Sequence, residues 1–235
     1  MIFRVLFFLL ILISIQIKAQ YSAGVSVEGG TNYASDGFYS DVTGEFSANI
    51  YDWQVATAAG ISFSNASENI FNVLKLDVSR DFRINKIPLT GHVFYQWRPF
   101  SEILHEHNAG FIFHYLKNKF GYQLGLNTRF FKLPNKYAAS NNYDHVSIWE
   151  PINLMYKITY HQPLAEKWDL RASVTNFDAF LIQQETNPML ITNVTYKISP
   201  TSIMYIDMGY LQAGLMNIRV NYFGYFIRGG IKWEL

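Results

Sequence analysis

Apolar and polar residues alternate along most of this chain, and the alternation is clearest near its C terminus. One set of positions there is apolar apart from one glycine: Phe223, Tyr225, Ile227, Gly229, Ile231, Trp233 and Leu235. The positions between them hold most of the charge: Gly224, Phe226, Arg228, Gly230, Lys232 and Glu234. Successive side chains of a strand point to opposite faces. The pattern therefore predicts a strand with one apolar face and one polar face.

The same alternation predicts twelve strands along the sequence. They cover about Tyr21–Gly30, Tyr39–Ile50, Trp53–Phe63, Ile70–Arg83, Pro88–Arg98, His105–Leu116, Phe120–Leu133, Val146–His161, Trp168–Phe177, Leu190–Ile198, Ser202–Leu211 and Asn217–Leu235. An apolar face and a wet face on each strand suit a barrel wall between lipid and a polar lumen. We therefore expect an all-β, transmembrane, antiparallel up-and-down barrel of about 12 strands, with 10 or 14 as alternatives. A soluble β-sandwich is the rival fold, and it would need a second sheet to cover the apolar faces.

The predicted connections alternate in length, which supports the barrel independently. Those after even-numbered strands are tight: Tyr51–Asp52, Ile84–Lys86, Lys117–Lys119, Gln162–Lys167 and Ser199–Pro200. Those after odd-numbered strands are longer or more polar: Thr31–Phe38, Ser64–Asn69, Pro99–Leu104, Lys132–His145, Asp178–Met189 and Gln212–Met216. Short turns on one rim and long loops on the other are typical of transmembrane barrels.

The first nineteen residues have the pattern of a cleaved secretory signal peptide. Arg4 supplies a positive charge, Val5–Ile13 is an apolar run, and Ile17–Ala19 ends on a small residue. Such a segment is too short to span a membrane as a helix. We expect cleavage after Ala19, which leaves residues 20–235 as a single barrel domain.

Composition narrows the functional classes. The chain has no cysteine, which rules out disulfides and cysteine-based metal or redox sites. Without Arg4 and Lys18, the 19 basic residues fall to 17 against 18 acidic ones. This balance argues against a nucleic-acid partner. The 19 Phe, 16 Tyr and 5 Trp suit a wall that faces hydrocarbon.

These features together resemble a small bacterial outer-membrane β-barrel. The Ala19–Gln20 junction and the abundant Asn, Tyr, Phe and Lys are similar to the Bacteroidota style, although no specific named family is matched. The resemblance covers residues 20–235 and implies residence in the bacterial outer membrane after Sec-type export, with outer-membrane lipid as the surrounding partner. Many such barrels end on an aromatic residue. Here the last residue is Leu235, and Trp233 supplies the aromatic ring on the same face.

Several groups of residues are candidates for function. We expect eight charged side chains to line the lumen, either as a paired network or along an aqueous path: Glu45, Asp77, Arg98, Arg129, Lys157, Arg171, Asp207 and Arg228. Five aromatic residues near strand ends are predicted to lie at the membrane interface: Trp53, Trp97, Tyr160, Trp168 and Trp233. The apolar run Phe180, Leu181 and Ile182 lies in a predicted external loop and is a candidate partner contact.

Catalytic and metal chemistry have little support in the sequence. His105 and His107 share a strand face and are a weak metal candidate, because imidazole binds zinc, copper or nickel but a third ligand is not evident. No compact serine–histidine signature points to nucleophilic catalysis. We therefore expect neither a cofactor nor enzyme activity.

The sequence slightly favours an accessory subunit of a larger outer-membrane assembly, with other outer-membrane proteins as partners. A narrow porin-like channel for small solutes is the alternative. A membrane-embedded lipid hydrolase is the less favoured third hypothesis.

Overall fold

The chain forms a closed barrel of twelve antiparallel strands in the order of the sequence, which confirms the predicted fold. The computed structural model describes residues 20–31, 38–63, 71–99, 105–132, 147–177, 188–213 and 222–235. The predicted signal segment lies outside these ranges. The strands are β1 Gln20–Thr31, β2 Phe38–Ile50, β3 Trp53–Ser62, β4 Phe71–Ile84, β5 Ile87–Pro99, β6 His105–Lys117, β7 Phe120–Lys132, β8 Ser147–Ala165, β9 Trp168–Thr175, β10 Met189–Ser199, β11 Ser202–Ala213 and β12 Tyr222–Glu234.

The last strand closes the barrel against the first. β12 pairs with β1 in an antiparallel register that runs from Ser22 opposite Glu234 to Thr31 opposite Tyr225. Every other strand pairs with its sequence neighbours. Closure leaves no unpaired sheet edge, which is the condition for crossing a lipid phase with strands.

Tight turns gather at one end of the barrel, here named the short-turn rim. Each joins an even-numbered strand to the next through two residues, such as Tyr51–Asp52 and Asn85–Lys86. Asn85 and Lys86 both have positive φ, at 49° and 72°, as a type I′ hairpin turn requires. The opposite end, where the connections after odd-numbered strands begin, is the long-connection rim.

The two faces of the wall differ as the alternation predicts. On the face here called the outer wall, large apolar side chains are exposed, such as Val93 at 65%, Leu124 at 58% and Ile227 at 55%. The other face, here called the lumen face, carries the charged and amide side chains between them. Within the described ranges, no helix is long and apolar enough to cross a membrane.

β8 departs from the sequence prediction in two ways. It continues to Ala165 instead of ending at His161, so the turn to β9 is only Glu166–Lys167. It also contains an extra residue: Asn127 of β7 pairs with Asn153, but Arg129 pairs with Glu150. This β-bulge lies at Pro151–Ile152, and a proline within a strand is tolerated at such a position.

Two lumen-facing aromatic rings cover glycines on the neighbouring strand. Phe226 of β12 lies opposite Gly209 of β11, and Tyr205 of β11 lies opposite Gly230 of β12. A Cβ atom at either glycine would overlap the facing ring. The absence of a side chain therefore lets each ring lie against the wall, where it takes up less of the lumen.

Candidate functional site

All eight charged residues predicted for the lumen lie on the lumen face. Five of them line one cavity together with Glu28: Arg98, Lys157, Arg171, Asp207 and Arg228. Glu45 and Asp77 line a second, smaller cavity of about 250 Å³ beside β1–β4. The eighth, Arg129, is buried in a cluster described below.

The larger cavity has a volume of about 570 Å³ and is here called the lumen cavity. Its wall includes Asn118 and Lys119 in the β6–β7 turn, at the short-turn rim. It also includes Arg98, one residue before the end of β5, and Met189, the first residue of β10. These last two lie near the long-connection rim, so the lining of the cavity extends between strand ends at both rims.

Arg129 is the centre of a buried ionic cluster near the long-connection rim. Its Nε atom donates to Glu106 Oε1 at 2.7 Å, and its Nη1 atom donates to Glu150 Oε2 at 3.2 Å. The side chains of Arg129, Glu106 and Glu150 are 0%, 4% and 12% exposed. The guanidinium also lies 4.8 Å from the ring centroid of Phe131. Two carboxylates around one guanidinium satisfy a charge that would otherwise be costly to bury.

Alternation alone could not have found this cluster completely. Strict alternation from the outward-facing Ile152 would put Glu150 on the outer wall. The bulge at Pro151–Ile152 reverses the facing of the residues before it, so Glu150 reaches Arg129. The proline was the signal in the sequence that could have indicated the bulge.

Arg228 is the centre of a second ionic cluster, on the strands that close the barrel. Its Nε atom donates to Glu28 Oε2 at 2.6 Å, and its Nη1 atom lies 3.7 Å from Asp207 Oδ2. Tyr39 donates its hydroxyl hydrogen to the other oxygen of Glu28 at 2.7 Å. Asn193 donates to Asp207 at 2.6 Å. Both carboxylates of this cluster are therefore engaged by the same guanidinium.

The five aromatic residues predicted for the interface lie on the outer wall at strand ends. Trp53, Tyr160, Trp168 and Trp233 lie at the short-turn rim, and Trp97 lies near the long-connection rim. Trp168 packs against Tyr196 with ring centroids 4.7 Å apart, and Tyr160 packs against Phe120 at 5.3 Å. Rings at these positions suit the boundary between lipid and water.

His105 and His107 face outward rather than into the lumen. The Nδ1 atom of His107 lies 2.7 Å from the hydroxyl of Tyr95, and the ring of His105 packs edge-on against Trp97 at 5.7 Å. Among the residues with described positions, no group of three possible metal-ligating side chains from His, Cys, Asp and Glu comes together.

Two histidine–carboxylate pairs lie on the lumen face. His92 Nδ1 is 3.1 Å from Asp77 Oδ1, and His161 Nε2 is 3.1 Å from Asp169 Oδ1. Ser79 lies opposite His92 in the register, but it is only 2% exposed and its hydroxyl donates to Gln54 at 3.5 Å. A substrate therefore has no access to this serine as a nucleophile. The candidate partner contact at Phe180, Leu181 and Ile182 lies outside the described residues.

Comparison with solved structures identifies the fold. The translocator domain of the autotransporter NalP from Neisseria meningitidis superposes with a TM-score of 0.57 at 12% identity, over 92% of this chain and 88% of that one. An outer membrane channel from Pseudomonas putida F1 gives 0.55 at 9% identity, over 92% and 96%. The NanC porin gives 0.51 at 14% identity, over 90% and 100%. No protein-family model matches this chain, and neither does the sequence of any curated protein. The chain has the fold of bacterial outer-membrane β-barrels.

Proposed function

We propose that this protein is an integral barrel of the bacterial outer membrane that provides a narrow, non-enzymatic passage for small solutes. One observation carries the proposal: the lining of the lumen cavity reaches from the β6–β7 turn at one rim to the ends of β5 and β10 at the other. The apolar outer wall supports the location, because only lipid or another apolar surface suits it. Two of the similar structures are named as a porin and a channel.

Twelve strands are consistent with a passage of small diameter. Barrels of about eight strands are filled by their own side chains, and barrels of about sixteen to eighteen leave a wide aqueous channel. Here the Arg129 cluster fills part of the lumen beside β6–β8, while the lumen cavity keeps about 570 Å³ open beside it. That volume suits a solute of small-molecule size.

Single-channel recording in planar lipid bilayers tests the passage. We expect discrete, small conductance steps from the refolded protein. Ser173 lines the lumen cavity, and its sequence neighbour Val174 is 41% exposed on the outer wall. Ser173→Trp should lower the conductance because the indole would occupy the cavity, whereas Val174→Trp, which adds the same ring on the lipid side, should leave it unchanged. A flat trace from correctly folded wild-type protein would exclude the passage.

An accessory role in a larger assembly is the second candidate, and the outer wall offers one observation in its favour. Gly44 and Gly229 lie on the outer wall of β2 and β12, opposite Val25 and Val27 of β1. A Cβ atom at either glycine would meet nothing within 4 Å. This flat strip would let a neighbouring transmembrane surface approach the backbone closely, as small residues do between membrane helices.

A further inference from the structure

The charges that line the lumen cavity do not balance. Its wall contains five cationic side chains, Arg98, Lys119, Lys157, Arg171 and Arg228, and two carboxylates, Glu28 and Asp207. His114 and His161 add two imidazoles. The sequence as a whole is nearly neutral, with 18 acidic residues against 19 basic ones. The excess of positive charge is therefore a property of this cavity rather than of the whole protein.

Both carboxylates are already bound within the cavity wall. Glu28 and Asp207 contact the same guanidinium, that of Arg228. Asp207 also accepts from Asn193. Neither carboxylate lies opposite Arg171 of β9 in the strand register.

Three of the remaining cationic groups, Lys119, Lys157 and Arg171, lie on the part of the cavity wall nearer the short-turn rim, whereas Arg98 lies near the long-connection rim. Arg171 of β9 lies opposite His161 of β8 and Asn193 of β10. Lys157 lies four residues before His161 on β8, opposite Gln123 of β7. The exposed side chain of Arg171 thus has an imidazole and an amide as its cross-strand neighbours, and the carboxylate two residues away on β9, Asp169, lies 3.1 Å from the Nε2 atom of that imidazole.

The imidazole of His114 also reaches this area, because a glycine on the neighbouring strand leaves room for it. Gly121 lies on the lumen face of β7, and a Cβ atom there would be 3.3 Å from His114 Nε2 and 3.8 Å from Thr159 Cβ. The imidazole of His114 therefore reaches across β7 toward β8, where Thr159 and Ser173 share a hydrogen bond of 2.9 Å. These hydroxyls lie on the lumen face between Lys157 and Arg171 along the strands.

From this arrangement we infer that the lumen cavity binds small anionic solutes through their carboxylate or phosphate groups, with Arg171 as the principal cationic contact and Lys157 as a second cationic group in the same wall. The inference rests on the proposed passage and names its class of solute. A guanidinium presents donors in a planar fork that matches the oxygens of a carboxylate or phosphate, and an ammonium adds a compact point charge. Low-dielectric walls around the cavity strengthen the attraction.

Equilibrium binding tests the inference without requiring conduction. The refolded protein in detergent micelles is titrated by calorimetry with citrate and, separately, with inorganic phosphate at low ionic strength, because salt screens such contacts. We expect saturable binding of at least one of the two anions. Removing one charge-assisted contact by Arg171→Gln or by Lys157→Gln should weaken it by about tenfold or more.

Arg80→Gln is the matched control. Arg80 lies on the outer wall of β4, with its guanidinium 5.1 Å from the ring centroid of Trp53, so its replacement removes the same charge outside the lumen. Folding of each variant is verified by the shift in gel mobility between unheated and heated samples. Binding that is equally strong in wild type, Arg171→Gln and Lys157→Gln would overturn the inference. So would the finding that neither citrate nor phosphate binds.

The outcomes separate the inference from the passage. Specific anion binding with a flat conductance trace would keep the site and exclude the passage. Conductance without anion binding would keep the passage and exclude the site. Binding of citrate alone would identify a carboxylate solute, and binding of phosphate alone a phosphorylated one; either result supports the inference.

Discussion

At the scale of single residues, the buried charge of Arg129 is the feature on which the local structure depends most. Its guanidinium is fully buried and is bonded to Glu106 and Glu150, which are almost as buried. Removing one partner of a buried ionic group leaves the others uncompensated, which typically costs about 3–5 kcal/mol. Replacing all members together with neutral groups costs much less.

We therefore expect Arg129→Met to lower the free energy of unfolding by about 3–5 kcal/mol, since it leaves two buried carboxylates without their cation. The measurement is urea-induced unfolding in lipid vesicles, followed by tryptophan fluorescence. Adding Glu106→Gln and Glu150→Gln to the same variant should restore part of the loss. A cost below about 1 kcal/mol, which is typical of exposed ion pairs, would show that the cluster is solvated.

Residue-scale reasoning from the sequence found which side chains face the lumen but not which ones bind each other. Alternation put Arg228 and Asp207 on the polar face, and both are there. The partners of Arg228 come from β1 and β11, and Glu28 is 200 positions away in the sequence. Such pairs depend on the register between strands, which a one-dimensional pattern does not contain.

At the scale of single elements, β8 contains a position at which side chains stop alternating between the two faces of the wall. The register also shifts at the end of the β3–β4 pair and of the β10–β11 pair. Elsewhere the alternation of apolar and polar residues is regular enough for the faces of the described strands to be predicted. β8 contains an extra residue at Pro151–Ile152, so its two halves are out of phase. The sequence correctly predicted this strand, and its predicted first residue is within one position of the observed one. The side of the wall on which Glu150 lies becomes clear only from its pairing with Arg129.

Cysteine scanning tests the bulge directly, because the natural chain has no cysteine. We introduce Trp149→Cys, Glu150→Cys and Leu154→Cys one at a time, attach a bimane fluorophore and add lipids with brominated acyl chains. The bulge predicts strong quenching at 149 and 154, which face the outer wall, and little quenching at 150. The bulge-free alternation from Ile152 predicts the opposite at 149 and 150. Asn153→Cys, on the buried lumen face, is the unquenched control.

At the scale of the whole molecule, the closed ring and its two faces followed from the sequence, whereas the cavity did not. The number of strands could be counted from alternation and connection length. The distribution of filled and open regions depends on side-chain packing across the lumen, as when the ring of Phe226 covers Gly209. Residue types alone do not fix such contacts, so the site could be placed in the lumen but not outlined.

The exposed apolar wall predicts how the entire protein behaves in solution. Residues 20–235 should refold into detergent micelles or vesicles and aggregate when detergent is diluted away, because the outer wall would then meet water. Light scattering and circular dichroism during the dilution measure this. A monodisperse, folded protein in buffer without surfactant would contradict the membrane assignment.

Purification from native membranes separates the two functional candidates. Purified gently from native membranes, a barrel that acts as a passage needs no second protein. A stoichiometric partner that remains bound, and that is lost when Gly44→Phe and Gly229→Phe fill the flat strip on the outer wall, would support the accessory role instead.

The contacts between aromatic rings and glycines on β11 and β12 also affect the width of the lumen. The space beside Gly209 and Gly230, where a side chain would otherwise lie, is occupied by an aromatic ring from the neighbouring strand. The Asp207–Arg228 ion pair lies between these two positions. The width of the lumen along this stretch therefore depends on uncharged rings as well as on the ion pair, whose guanidinium lies 5.3 Å from the ring centroid of Phe226. Replacing either ring by a small aliphatic side chain should therefore widen the lumen at this level without changing the number of charged residues on the lumen face.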